Sequence, residues 1–201
     1  MKNDNEWKLI VAMILIMSLQ ILPLIFWPRT ARADNTINIV QIGNYNNINV
    51  TQEGDGHTAG IKLGAVSDVD YTSINITQQG LAKTANIDIK SGINNSVAFV
   101  QEGIGNHYAS ITNLTGSGNN ITLNQSGSGN HSFTIDASNT NNGNTITASQ
   151  SGNVGADKAF TLNLSGATGA TVNVQQTSTV SNTGSMAVQC NPCGAYSYIR
   201  Q

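Results

Sequence analysis

Past residue 34, apolar and polar residues alternate in short runs, and alternation with a period of two marks a strand with one face turned inward. In Ile121 to Asn130, ITLNQSGSGN, the residues Ile121, Leu123, Gln125 and Gly127 share one face, while Thr122, Asn124 and Ser126 share the other. The same inward set of two aliphatics, a glutamine and a glycine recurs at Ile37, Ile39, Gln41, Gly43 and at Ile48, Val50, Gln52, Gly54. It returns at Ile74, Ile76, Gln78, Gly80, at Val97, Phe99, Gln101, Gly103 and at Ile146, Ala148, Gln150, Gly152. A last copy, Val172, Val174, Gln176, has lost the glycine. From Gln52 to Gln176 five intervals span 124 residues, about 25 each, which is the period of a repeat architecture.

Shorter apolar segments lie between the glutamine strands: Ile61-Lys62-Leu63, Ile87-Asp88-Ile89, Phe133-Thr134-Ile135 and Phe160 to Leu164. Each repeat therefore holds two strands, joined by Gly, Asn, Ser and Asp, residues that tolerate the positive φ of tight arcs. The pattern predicts an all-β fold: a β-solenoid of about six two-stranded rungs, amyloid-forming, with Gln/Asn ladders, each rung stacked at ~4.8 Å on the last. A meander of independent hairpins is the alternative. Stacking accounts for more, because it sets each inward glutamine over the previous one, where each amide N–H can bond the carbonyl oxygen one rung away. Where Ile111 and Leu114 stand three apart, the period breaks and a bulge is expected.

Composition agrees with a thin core. Of 201 residues, 39% are hydrophobic but only 5% aromatic and 10% charged, against roughly 25% charged in ordinary soluble domains. Past Pro28 the only proline is Pro192, which suits an uninterrupted hydrogen-bonded ladder. Leu9 to Phe26 is an apolar run followed by Ala31-Arg32-Ala33, the small-residue arrangement of a signal peptidase site. Residues 1–33 are thus expected to be a secretory signal, with an uncleaved membrane anchor as the alternative. Residues 34–185 form the repeats, and residues 186–201 a C-terminal strand and Cys-x-x-Cys tail. Beyond the signal, Lys62, Lys83, Lys90, Lys158 and Arg200 face nine acids. That balance recruits neither nucleic acid nor an anionic membrane.

A solenoid has two open ends whose strand edges are templates for further pairing unless they are covered or charged. No strongly amphipathic helix occurs at either end, and the body has the β-prone, weakly charged, proline-free character of assembling segments. Self-assembly is the function this pattern predicts.

The chain resembles the curlins, secreted subunits of bacterial curli amyloid fibres, whose repeat runs approximately S-x5-Q-x-G-x2-N-x-A-x3-Q. Residues 35–52 carry the nearest match, with Asn35, Gln41, Gly43, Asn46 and Gln52 at the family's spacing. Later copies keep Asn95-Gln101-Gly103-Asn106, Asn119-Gln125-Gly127-Asn130 and Asn144-Gln150-Gly152, with Ala59 and Ala85 at the alanine position. After the first copy the second glutamine gives way to Leu63, Ile89, Thr112 or Asp136, and the period is longer than is usual in curlins. The likeness is to the family as a whole, bulk and nucleating subunits alike. It implies an exported protein of the bacterial cell surface, part of an extracellular fimbrium-like fibre serving adhesion and biofilm matrix. Its implied partners are copies of itself, other curlin-type subunits, and an outer-membrane secretion pore with its accessory factors. The assembly residues expected are Gln41, Gln52, Gln78, Gln101, Gln125, Gln150 and Gln176, with Asn46, Asn106 and Asn130.

Catalytic chemistry finds no constellation. His57, His107 and His131 read as polar turn residues without acid or cysteine partners at metal-ligand spacing. No serine sits in a G-x-S-x-G elbow, and the carboxylates are scattered, as suits residues that slow uncontrolled pairing. No catalytic residue, cofactor, metal or small-molecule substrate is expected. Cys190 and Cys193 read as a local disulfide in an exported chain. A redox pair or half of a zinc site shared with a second chain are the alternatives. A monomeric β-solenoid binding ice or glycan is the rival function; it needs a regular outward array, whereas outward pairs run from Asn49/Thr51 through Ala98/Val100 to Thr147/Ser149.

Overall fold

The computed structural model describes residues 34–64, 69–152 and 155–201, so the expected signal segment, 1–33, lies outside the described residues. Residues Ala33–Gln201 form one compact unit, and its buried apolar cluster, from Ala59 to Val188, is internal to that unit.

Each strand pairs in parallel with the next strand of its own sheet, two or three elements further along the chain, which makes the fold a solenoid and excludes the hairpin meander. The glutamine sheet is built from β2 (Asn47–Gly54), β5 (Ser73–Gly80), β8 (Ser96–Glu102), β10 (Asn120–Gly127), β12 (Thr145–Gly152), β14 (Thr171–Gln176) and β16 (Ala195–Arg200). Opposite it stand β1 (Thr36–Ile37), β3 (Thr58–Ala59), β6 (Lys83–Asp88), β9 (His107–Thr112), β11 (His131–Ser138), β13 (Lys158–Ser165) and β15 (Asn182–Val188). Seven strands per sheet give about seven turns, one more than the repeat count predicts. The extra turn comes from the C-terminal segment: β15 spans residue 186, and β15 and β16 complete a turn.

A third, narrower ladder runs along one side of the solenoid. Strand β4 (Val69–Asp70) pairs with β7 (Gly92–Ile93), and isolated bridges Ser91 to Thr115, Thr115 to Thr140 and Asn142 to Thr168 continue along the same side. The sequence hid it because one or two residues per turn are too few to show a period.

The core is a single layer between the sheets, filled by complementary sizes. In register along one sheet run Ala59, Ala85, Ala109, Phe133, Phe160 and Gly184; along the other run Val50, Ile76, Phe99, Leu123, Ala148, Val174 and Tyr198. Phe99 shares its turn with Ala109, and Phe160 shares its turn with Ala148. Gly184 leaves room for a ring, since a Cβ there would come within 2.5 Å of Tyr198. Phe133 stacks on Phe160 at 5.7 Å between ring centroids, and Tyr198 tilts against Phe160 at 4.8 Å. The break at Ile111 and Leu114 is resolved by Asn113, whose φ of 49° turns the chain so that both aliphatics are buried.

Ladders, a buried cation column and two open ends

The glutamines of β2 to β14 form a continuous ladder. Nε2 of Gln52 donates to Oε1 of Gln78 at 2.8 Å, and the step repeats to Gln101, Gln125, Gln150 and Gln176 at 2.7 to 2.8 Å. From Gln78 to Gln176 these side chains are buried, which rules out a solvated outer face. The second proton of each amide crosses the core to a backbone carbonyl of the facing sheet. Its acceptors are Thr58 for Gln78, Thr84 for Gln101, Tyr108 for Gln125, Ser132 for Gln150 and Ala159 for Gln176. Each amide thus satisfies two donors and one acceptor, and ties the sheets together where the core holds no carbon.

Gln41 is not part of this ladder. It is exposed, and its amide bonds the carbonyl of Gly43 two residues away. The physical reason is the spacing: Gln41 precedes Gln52 by 11 residues, about half a turn, whereas the ladder glutamines are a full turn apart. The nearest match to the family repeat therefore wraps around the first turn rather than stacking on itself. Gly43 packs against Val69 on the third side, where a Cβ would lie 2.2 Å from the Val69 carbonyl.

The asparagines divide differently from expectation. Asn106 and Asn130 are exposed, and Oδ1 of Asn130 accepts the backbone N–H of Asn106 at 3.0 Å, a step between arcs and not an amide ladder. The buried column instead contains Asn46, Thr72, Asn95, Asn119 and Asn144, each just before a glutamine-sheet strand. Nδ2 of Asn119 donates to Oδ1 of Asn95, and Nδ2 of Asn144 to Oδ1 of Asn119, both at 3.0 Å. Asn46 belongs to this column: its Oδ1 accepts the N–H of Thr72, and its Nδ2 donates to the carbonyl of Val69. The signal was present, since Asn95, Asn119 and Asn144 stand two residues before Val97, Ile121 and Ile146 and so carry the inward phase. Thr72 interrupts the column, and its Oγ1 is buried without a partner.

His107 and His131 are strand residues rather than turn residues, while His57 lies in the link between the bend at residues 55–56 and β3. His107 and His131 open β9 and β11 as the first inward position, and His57, Lys83, His107, His131 and Lys158 form one buried column in the facing sheet. Counting two residues back from Ala59, Ala85, Ala109, Phe133 and Phe160 finds all five, so the phase again held the signal. His107 and His131 stack with centroids 4.7 Å apart. Nε2 of His107 donates to the carbonyl of Glu102 at 2.8 Å, and that of His131 to Ser126 at 2.9 Å. Both Nδ1 atoms are buried without partners, as suits neutral rings. Burial pushes His107 down to about 4, with Lys83 and His131 adding repulsion, and lowers His131. The three protons of the Lys83 ammonium meet the carbonyls of Leu81, Gly103 and Gly105, and Lys158 meets Ser178 and Val180. Even so, burial pushes Lys83 down to about 8 and lowers Lys158.

Among the described residues no group of three or more His, Cys, Asp or Glu is gathered as a metal site. Cys190 and Cys193 are bonded to each other, closing the arc between β15 and β16, with the Cys190 carbonyl and Cys193 N–H paired to Thr168.

The two ends carry the remaining unpaired chemistry. At the first turn the outer edge of β2 faces no described strand, and Ile37, Ile39 and Val40 are 48%, 49% and 54% exposed. At the last turn the outer edges of β15 and β16 face no described strand, and Val180 and Ile199 are exposed. The first strand, β1, lies in the facing sheet, and the last, β16, in the glutamine sheet. A second copy placed after β16 would continue both sheets without skipping a strand. No known protein family, curated protein or solved structure matches the chain.

Proposed function

We propose that this protein is an exported structural subunit whose copies stack end to end into curli-type amyloid fibres at the bacterial cell surface. The observation that carries the reading is the pair of ends in matching phase: among the described residues both sheets stop with unpaired edges, and the start of another copy would resume the strand order. Exposed aliphatics at both ends add an apolar driving force, at roughly 25 cal/mol per Å² covered. The ladders supply geometry, since an added turn lengthens a hydrogen-bonded column already running through the molecule. In this role the fibre supports adhesion and biofilm matrix. Partners are other copies, curlin-type subunits, and an outer-membrane secretion pore with its accessory factors. The curlin-like spacing at residues 35–52 supports this family reading from sequence alone.

The test is assembly of the purified compact unit. Incubated residues 34–201 should form thioflavin-positive fibres with a meridional spacing of ~4.8 Å. A preparation that stays monomeric and soluble at high concentration would overturn the proposal and return attention to a monomeric ice- or glycan-binding solenoid.

A further inference from the structure

Resting on the reading that copies stack end to end, we propose that Arg200 is the junction residue. Its guanidinium donates to Oε1 of Gln52 in the next copy and so joins one subunit's glutamine ladder to the next.

The register places Arg200 there. In the pairing of β14 with β16, Gln176 stands opposite Arg200, so Arg200 occupies the ladder position of the last turn. The ladder is also polar. Every step donates from Nε2 of one glutamine to Oε1 of its C-terminal neighbour. At the first turn Oε1 of Gln52 is therefore an acceptor with no donor among the described residues. At the last turn the column must end in something that donates onward. Arginine has donors only. It cannot accept from Gln176, whose spare N–H goes instead to Oδ1 of Asn182. The internal ladder thus ends at Asn182, and the guanidinium remains exposed, with no hydrogen bond or ion pair among the described residues.

The neighbours of the two residues match as well. Tyr196 and Tyr198 share the inward face with Arg200, and Ile48 and Val50 share it with Gln52; all four are half-buried and packed against the core cluster. Continuing the register sets Tyr196 on Ile48 and Tyr198 on Val50 of the next copy. Only one stacking sense satisfies the column. Two C-terminal ends would oppose Arg200 with Arg200, and two N-terminal ends would oppose acceptor with acceptor, whereas head to tail pairs donor with acceptor.

The experiment measures elongation of fluorescent wild-type seeds by the unit Ala33–Gln201 and its variants Arg200→Glu, Arg200→Ala and Arg200→Lys. Loss of a charge-assisted bond at each junction should slow elongation about tenfold or more for Glu and Ala, while Lys, which keeps a donor, stays near the wild-type rate. Two-colour imaging adds an end-specific readout. An Arg200→Glu subunit still offers an intact Gln52, so it adds once at seed ends presenting Arg200 and not at ends presenting Gln52. Urea midpoints of the monomeric variants should match wild type, because the side chain is exposed; if Glu shifts the midpoint, Ala decides. Wild-type elongation rates with Arg200→Ala and Arg200→Glu would overturn the junction and leave self-assembly standing. Failure of the wild-type unit to form fibres at all would overturn both.

Discussion

Replacing Gln125 by leucine tests whether the buried amide column holds the solenoid together. Gln125 is buried in the middle of the ladder: it accepts from Gln101 at 2.8 Å and donates to Gln150 at 2.7 Å and to the Tyr108 carbonyl at 3.0 Å. Leucine fills much of the volume but orphans one N–H of Gln101 and Oε1 of Gln150, both buried. At about 1–3 kcal/mol for each orphaned group, the expected loss is about 2–6 kcal/mol. The tyrosine carbonyl loses one of two acceptor sites and adds little. The same substitution at Gln52 orphans a single buried group, Oε1 of Gln78, and should cost about 1–3 kcal/mol, half the loss at Gln125. Changing Gln101 and Gln125 together still orphans two groups, one N–H of Gln78 and Oε1 of Gln150. The double variant should therefore cost far less than the sum of the singles. Urea unfolding of freshly purified unit, followed by circular dichroism, measures all four proteins. Equal losses at Gln52 and Gln125, or a double variant whose loss equals the sum, would refute the argument that connectivity of the ladder sets its energetics.

Acid should loosen the fold through His107. Its folded pKa, about 4, lies below the ordinary 6.5, so between those values the unfolded chain binds more protons. Stability is then full above about pH 6.5 and falls as pH drops toward 4, by an upper bound of about 3 kcal/mol. His107→Gln should flatten that part of the pH–stability curve, and an unchanged slope would count against it. Thr72→Asn should stabilise the unit by about 1 kcal/mol, because the new amide can donate to Oδ1 of Asn46 and accept from Asn95, filling the gap in the column. A lowered melting temperature would show that the site cannot accommodate the amide.

The strand pattern, the inward phase of the glutamines and the 25-residue period were legible in the sequence, because a side chain's face in a strand depends only on whether its position is odd or even. That phase, followed two residues further, also contained the buried asparagines and the histidine and lysine column. Polarity concealed them, since charged and amide residues beside glycines read as turns. Parallel stacking at a full-turn interval was decided only in three dimensions. It put Gln41, half a turn from Gln52, outside the ladder, and it brought His107 onto His131 across 24 residues of sequence. The joining of β15 and β16 into a last turn was also a tertiary matter, because edge strands take their register from the turn beneath them. Local alternation determined what faces inward; which inward residues meet was set by how the chain closes each turn.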